Sequence, residues 1–211
     1  MGKINCLKKA LIKALFLGLV MPVLAFAGPF GLPGLHVNAI HTVENKLLNS
    51  ATGVSVEADF LGYGIGIGYL SGNTKSRGNI SDTGSSFISK GAYSMVPIYG
   101  YKMWSLIPLL ADIKVGAGMS LNTHSAGSAE EAAIKTLKNV DAYDENFQNS
   151  FFLFAGVNVT PFPGVLASLS YWYHPVKNEA SFGKTPAGVS VSSETYDLDL
   201  SGVLLSVGYG F

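Results

Sequence analysis

The sequence lacks most of what soluble folds use for support. Its single cysteine, Cys6, sits in the first thirteen residues, so the body of the chain has no disulfide to rely on. The four histidines, His36, His41, His124 and His174, are scattered and spell no metal site. No cluster of basic residues suggests nucleic acid. After residue 27 no continuous apolar run is long enough for a membrane helix, although 48% of the chain is hydrophobic. Apolar residues and 25 glycines are spread instead over short alternating segments. That excludes a helical membrane protein and leaves a β-sheet protein, either a soluble sandwich or a transmembrane barrel.

The N-terminus has a plain reading. Lys3, Lys8, Lys9 and Lys13 precede ALFLGLVMPVLAFA at residues 14–27, which carries no charge and ends in Ala25-Phe26-Ala27. A basic region, a short apolar region and a small-residue site together predict a secretory signal peptide, cleaved before Gly28. The apolar stretch falls short of the ~20 residues that span hydrocarbon, and Pro22 interrupts it. Cys6 is far from the cleavage site, which argues against a lipid anchor. Residues 28–211 then form one domain. Loss of four lysines and no acid leaves ten basic against fourteen acidic side chains, a net charge of −4.

Along that domain, period-two alternation predicts eight strands at about 34–43, 53–60, 63–71, 91–102, 109–122, 151–160, 165–175 and 195–211. Val54, Val56, Ala58 and Phe60 alternate with Ser55, Glu57 and Asp59. Tyr63, Ile65, Ile67 and Tyr69 alternate with glycines. Ile113, Val115, Ala117 and Met119 alternate with Asp112, Lys114, Gly116 and Gly118. One face is apolar and the other small or polar. The facing of the fourth strand is left open, because both sets there contain bulky residues. In the eighth strand Leu198 and Leu200 are even-numbered and the apolar residues from Val203 onward are odd, so a bulge is expected at Gly202. Connections alternate in length. Short ones are expected at Leu61-Gly62, Ser105–Pro108 and Pro161–Gly164, and long ones at 44–52, 72–90, 123–150 and 176–194. Short turns on one side and long loops on the other are the arrangement of an up-and-down transmembrane barrel, with both termini on the short-turn side. Ser128-Ala129-Glu130-Glu131 fits a capping box and opens an expected helix at 129–140 inside the third long loop.

The final residues read Val203, Leu205, Val207, Tyr209, Phe211, interleaved with Leu204, Ser206, Gly208 and Gly210. A strand ending in an aromatic at the terminus resembles the closing strand of bacterial outer-membrane β-barrels. Leader, strand pattern, loop sorting and Phe211 together resemble the small eight-stranded outer-membrane proteins of the OmpA-barrel and OmpX type, over nearly all of 28–211. The resemblance implies an all-β, eight-stranded antiparallel up-and-down barrel in the outer membrane of a Gram-negative bacterium. It implies outer-membrane lipid and lipopolysaccharide as surroundings, and the barrel-assembly machinery as a partner of the strand ending in Phe211. The expected role is structural or surface-interacting through the long extracellular loops, without catalysis. The alternatives are a small channel or transporter and, less favoured, a lipid A-modifying enzyme.

Two sets of candidate residues follow. Glu57, Asp59, Asp112 and Lys114, with His36 nearby, are expected in the lumen. They form either a satisfied polar plug or a gate in which Lys114 exchanges carboxylates. Phe60, Tyr101, Trp104, Phe162, Tyr171, Tyr173, Tyr209 and Phe211 are expected as an interfacial aromatic girdle. Trp172 is grouped with the girdle, with a lumen-facing ligand platform as the minority reading. His124-Ser125, followed by Glu130 and Glu131, invites a hydrolase reading. Outer-membrane lipid A deacylases, however, carry histidine and serine on alternate residues of one strand. Adjacent residues on a strand point to opposite faces, so no catalytic residue is assigned. No cofactor and no metal are expected.

Overall fold

A computed structural model describes residues 34–76, 88–108, 110–183 and 192–210. The expected leader at 1–27 and the terminal Phe211 lie outside these residues.

Among the described residues there are eleven strands. They are β1 Gly34–Thr42, β2 Thr52–Phe60, β3 Tyr63–Asn73, β4 Gly91–Ile107, β5 Ala111–Ala126, β6 Ala142–Phe147, β7 Ser150–Phe162, β8 Val165–Tyr173, β9 Pro175–Gly183, β10 Ser192–Asp199 and β11 Gly202–Gly210. A helix, α1, covers Ser128–Lys138. Eight strands close an antiparallel barrel in the order β1-β11-β8-β7-β5-β4-β3-β2, and β10-β9-β6 form a separate three-stranded sheet. Closure brings the first strand against the last, from His36 opposite Gly210 to Thr42 opposite Leu204.

The barrel is apolar on the outside. Ile65, Leu169, Val207 and Phe151 stand exposed on its surface, and Leu70, Phe152, Asn38 and Lys114 are buried in its interior. Rings and glycines fit together in that interior. Tyr101 and Tyr99 pair across the β3–β4 ladder with Gly64 and Gly66, and Phe154 and Phe152 pair across β5–β7 with Gly116 and Gly118. A Cβ at Gly64 would lie 2.2 Å from the Tyr101 ring, and one at Gly116 would lie 2.4 Å from Phe154. The glycines are the space in which the rings lie. This settles the fourth strand: Tyr93, Met95, Pro97, Tyr99 and Tyr101 face in, and Ser94, Val96 and Ile98 face out.

Four expectations need correction. The eighth expected strand is two strands in two sheets, β10 and β11, and Gly202 carries no bulge. Asp199 pairs with Pro175 and Gly202 with Trp172, so both partners advance three residues and the register is unchanged. Leu200 N–H donates to His174 O across the gap at 3.0 Å. Tyr196, Leu198, Leu204 and Ser206 all face inward with one parity. The apolar residues change faces while the backbone keeps its phase. β8 and β9 do the same: Leu169, Tyr171 and Tyr173 face out below, and Lys177 and Glu179 take the outward positions above. Below the crossover the outward face is apolar and above it charged.

The second correction concerns the long connections at 123–150 and 176–194. Their described residues supply α1, β6 and β9, and with β10 they form a cap. Its core is Tyr143, Ala180, Phe182 and Tyr196 from the sheet and Ile134 from the helix. Third, the helix starts from Gly127 without a side-chain cap, so the expected capping box does not form. Glu130 and Glu131 in its first turn and Lys135 and Lys138 in its last complement its dipole, and Asn139 ends it in the left-handed region at φ 52°. Fourth, β4 runs through the expected Ser105–Pro108 turn to Ile107, with a register shift between Ser105 and Ile107. The β2–β3 turn matches its expectation, with Leu61 (φ 52°) and Gly62 (φ 76°) both left-handed.

Leu169 lies midway along β8 on the lipid side. Leu169→Arg is expected to lose about 2–4 kcal/mol of folding stability in guanidinium titrations from phospholipid vesicles, while Thr195→Arg, outward on the cap, stays within about 0.5 kcal/mol of wild type.

Candidate functional site

The interior is filled in layers. At the lower end, His36 Nε2 lies 2.5 Å from Asp59 Oδ2. Above it, Lys114 Nζ donates to both Glu57 oxygens at 2.6 Å, and Tyr99 OH donates to Oε1 of the same carboxylate at 2.6 Å. The ammonium also lies 4.0 Å from the centroid of the Tyr101 ring. Lys114 and Glu57 are only 7% and 6% exposed. A buried pair of this kind persists because both charges have several partners. Asp112 forms no ion pair with the described residues, so of the five expected lumen residues four meet, in two separate pairs.

An aromatic layer comes next. Trp172 stacks on Phe152 at 4.5 Å and 8°, and on Phe154 at 5.5 Å and 27°, with Tyr99 edge-on to Phe154 at 5.4 Å. The indole N–H donates to Ser170 Oγ at 3.1 Å. Trp172 thus faces the lumen and not the girdle. Tyr101 also leaves the girdle: it is 6% exposed and lies against Lys114. Outward-facing aromatics remain in two groups near the strand ends. Phe60, Trp104, Phe162 and Tyr209 stand at the lower rim, and Tyr171 and Tyr173 at the upper. Cavities among the described residues include one of about 20 Å³ beside Lys114 and Ser168 and one of about 30 Å³ under Leu200 and His174, each with room for about one or two waters.

Above the rings the interior turns polar again. His174 Nε2 lies 2.7 Å from Ser120 Oγ and 2.8 Å from Ser150 Oγ, and Asn122 donates to both serines. Higher still, Glu145 is buried at the base of the cap. It accepts from Ser89 N–H at 3.2 Å, from Asn178 Nδ2 at 2.5 Å, from Tyr143 OH at 2.7 Å and from Ser89 Oγ. Burial, with the neighbouring carboxylate, pushes the Tyr143 phenol up, so it remains a donor. His124 stacks on Phe147 at 4.6 Å, meets Thr74 Oγ1 at 2.9 Å, and turns Nδ1 toward Glu145 Oε1 at 3.7 Å.

Hydroxyl, imidazole and carboxylate therefore converge, but not in the residues the sequence put side by side. Ser125 is exposed on the opposite face from His124, and Glu131 pairs with Lys135 on α1. Thr74 is fully buried, and its hydroxyl is already engaged by Ser89 O and Gly91 N–H, both at 2.8 Å. Sequence reasoning missed Tyr99, Glu145 and Ser120, and favoured the girdle for Trp172 over the lumen-facing position that was its minority reading. One signal was present for Tyr99: a tyrosine on a strand whose neighbours read Gly-x-Gly has a place to lie only on the glycine face.

The architecture defines a class, the small closed β-barrel with an apolar exterior and a filled interior. Solved structures of this class superpose on the chain. The N-terminal β-barrel domain of Pseudomonas aeruginosa OprF matches 86% of this chain and 99% of its own, with 10% identity and a TM-score of 0.51. Outer membrane protein OprG from Pseudomonas aeruginosa matches 86% and 97%, at 12% identity and 0.55. A major outer membrane protein from Thermus thermophilus matches 85% and 99%, at 14% identity and 0.51. At such identities the likeness is one of fold. At the level of sequence, no family model and no curated relative matches.

Lys114→Met leaves Glu57 buried without its cation and is expected to cost about 3–5 kcal/mol in chemical unfolding from vesicles, part of which Glu57→Gln restores in the double variant. In the cap, burial lowers the His124 pKa below its ordinary 6.5, outweighing the opposing pull of Glu145. The folded state then binds fewer protons than the unfolded one. The associated stability is present above about pH 6.5 and is lost as pH falls below it. Faster amide exchange in β6 and β9 on acidification, blunted in His124→Gln, is the expected result.

Proposed function

We propose that this chain is an integral outer-membrane protein of a Gram-negative bacterium, exported by the leader at 1–27 and acting through its extracellular cap. One observation carries the reading: along β8–β9 and β10–β11 the outward face changes from Leu169, Tyr171 and Tyr173 to Lys177 and Glu179 without a change of register. That fits a wall passing from lipid into water. The two groups of outward aromatics serve as the girdle. Outer-membrane lipid and lipopolysaccharide surround the barrel, and the assembly machinery receives the strand that ends in Phe211.

The Glu57–Lys114 pair, the His36–Asp59 contact and the Trp172 stack act as a structural plug. Cavities of about 20 and 30 Å³ favour this over a conduit for solutes. The reading is non-enzymatic: the Thr74–His124–Glu145 convergence is buried, and its hydroxyl is engaged in backbone contacts.

A cysteine placed at Thr195 should react with a membrane-impermeant maleimide on intact cells, and one placed at Leu61 should not. The purified protein should give no steady conductance in planar bilayers, and lipid A mass spectra should be the same with and without it. Reversed labelling would overturn the topology; steady conductance or altered lipid A would overturn the assigned role.

A further inference from the structure

The two flanks of the extracellular rim carry opposite charge. On one, Lys46, Lys75 and Lys90 come together from three connections: Lys75 N–H donates to Leu47 O at 2.7 Å, and Thr74 N–H to Gly91 O at 2.9 Å. Glu44 pairs with Lys75, while Lys46 and Lys90 have no carboxylate partner among the described residues. On the other flank, the outer face of the three-stranded sheet presents Asp144, Glu179, Asp197 and Asp199, with Lys177 opposite Asp197. Gln148 donates to Glu179 and Ser201 N–H to Asp199, but neither brings a positive charge.

The flanks are diametrically opposed, since β3 stands four strands from β8 in either direction around the eight. Both lie a few residues past the last outward aromatic of their strands, Tyr69 and Tyr173. A bilayer holds every copy upright and at one depth, so copies differ only in lateral position and rotation about the normal. The basic flank of one copy then meets the acidic flank of the next at matching height.

We propose that this chain associates laterally with further copies of itself, the Lys46–Lys75–Lys90 flank of one barrel against the β9–β10 face of its neighbour. The proposal rests on the outer-membrane reading above. Two different surfaces meet, so the contact is head-to-tail and propagates in rows instead of closing as a two-fold dimer. Lipid phosphates compete for the lysines, yet they leave the acidic face uncovered. A second copy satisfies both.

The test is mild oxidation of native outer membranes containing Lys90→Cys/Asp197→Cys. The expected result is a ladder of disulfide-linked oligomers, while each single variant stays monomeric. Adding Lys46→Glu and Lys75→Glu, or raising the salt, should abolish the ladder. Several results overturn the proposal: no oligomer from the double variant, dimers from a single variant, or a ladder indifferent to salt. So does lipid phosphate held by wild type and lost from Lys46→Glu/Lys90→Glu in native mass spectra without any ladder. Fractionation reports separately on location: protein in the outer membrane without a ladder sinks only the self-association, and protein elsewhere sinks the location as well.

Discussion

Hydrocarbon offers no hydrogen bonds, so every backbone amide that crosses it must find its partner within the sheet. In eight strands that requirement means closure, β1 against β11. Closure fixes the bore, and eight strands leave a bore only wide enough for side chains. The glycines of β3 and β5 and the rings of β4 and β7 divide this space between them. With the interior so crowded, a lysine and a glutamate are retained there only as a pair with added partners, Tyr99 OH on the carboxylate and the Tyr101 face against the ammonium.

The same backbone serves two solvents. Below His174 the wall is apolar outside and mixed within; above it, charges stand outside and Val176, Phe182, Tyr196 and Leu198 turn inward. The cap is a piece of ordinary soluble sheet, with a helix on its core, built on top of an inverted one. His174, bridged to Ser120 and Ser150, and Glu145, with its four donors, occupy the zone where the two arrangements join. Polar side chains suit that zone because the ladder between β5 and β6 is made there by side chains, as when Asn122 donates to Gln148 O and Asn146 accepts from His124 N–H.

Much of the barrel was legible because alternation reports directly on a two-faced wall. The strand positions from 34 to 71 and from 151 to 173 needed nothing more. The cap was hidden because its strands follow the opposite rule. Residues 175–183 and 192–199 alternate just as clearly, but with the apolar set turned inward, and a reading tuned to lipid takes that for a loop or a bulge. Tyr101 and Trp172 were misplaced for a related reason. An aromatic near a strand end looks interfacial unless the glycine across the ladder is noticed. Glu145 and His124 sit 21 residues apart in sequence, and only the packing of β5 beside β6 brings them together.

The seam between β1 and β11 joins the first and last strands of the barrel. Its contacts, from His36 with Gly210 to Thr42 with Leu204, enclose every other strand, so the entropy of closing that loop is met last and the cylinder seals slowly. Until then both outermost strands carry open ladders, and any fragment missing β1 or β11 keeps them permanently. An incomplete chain is therefore a sticky, proteolysis-prone species, and quality control needs to recognise only one thing, an unmet edge.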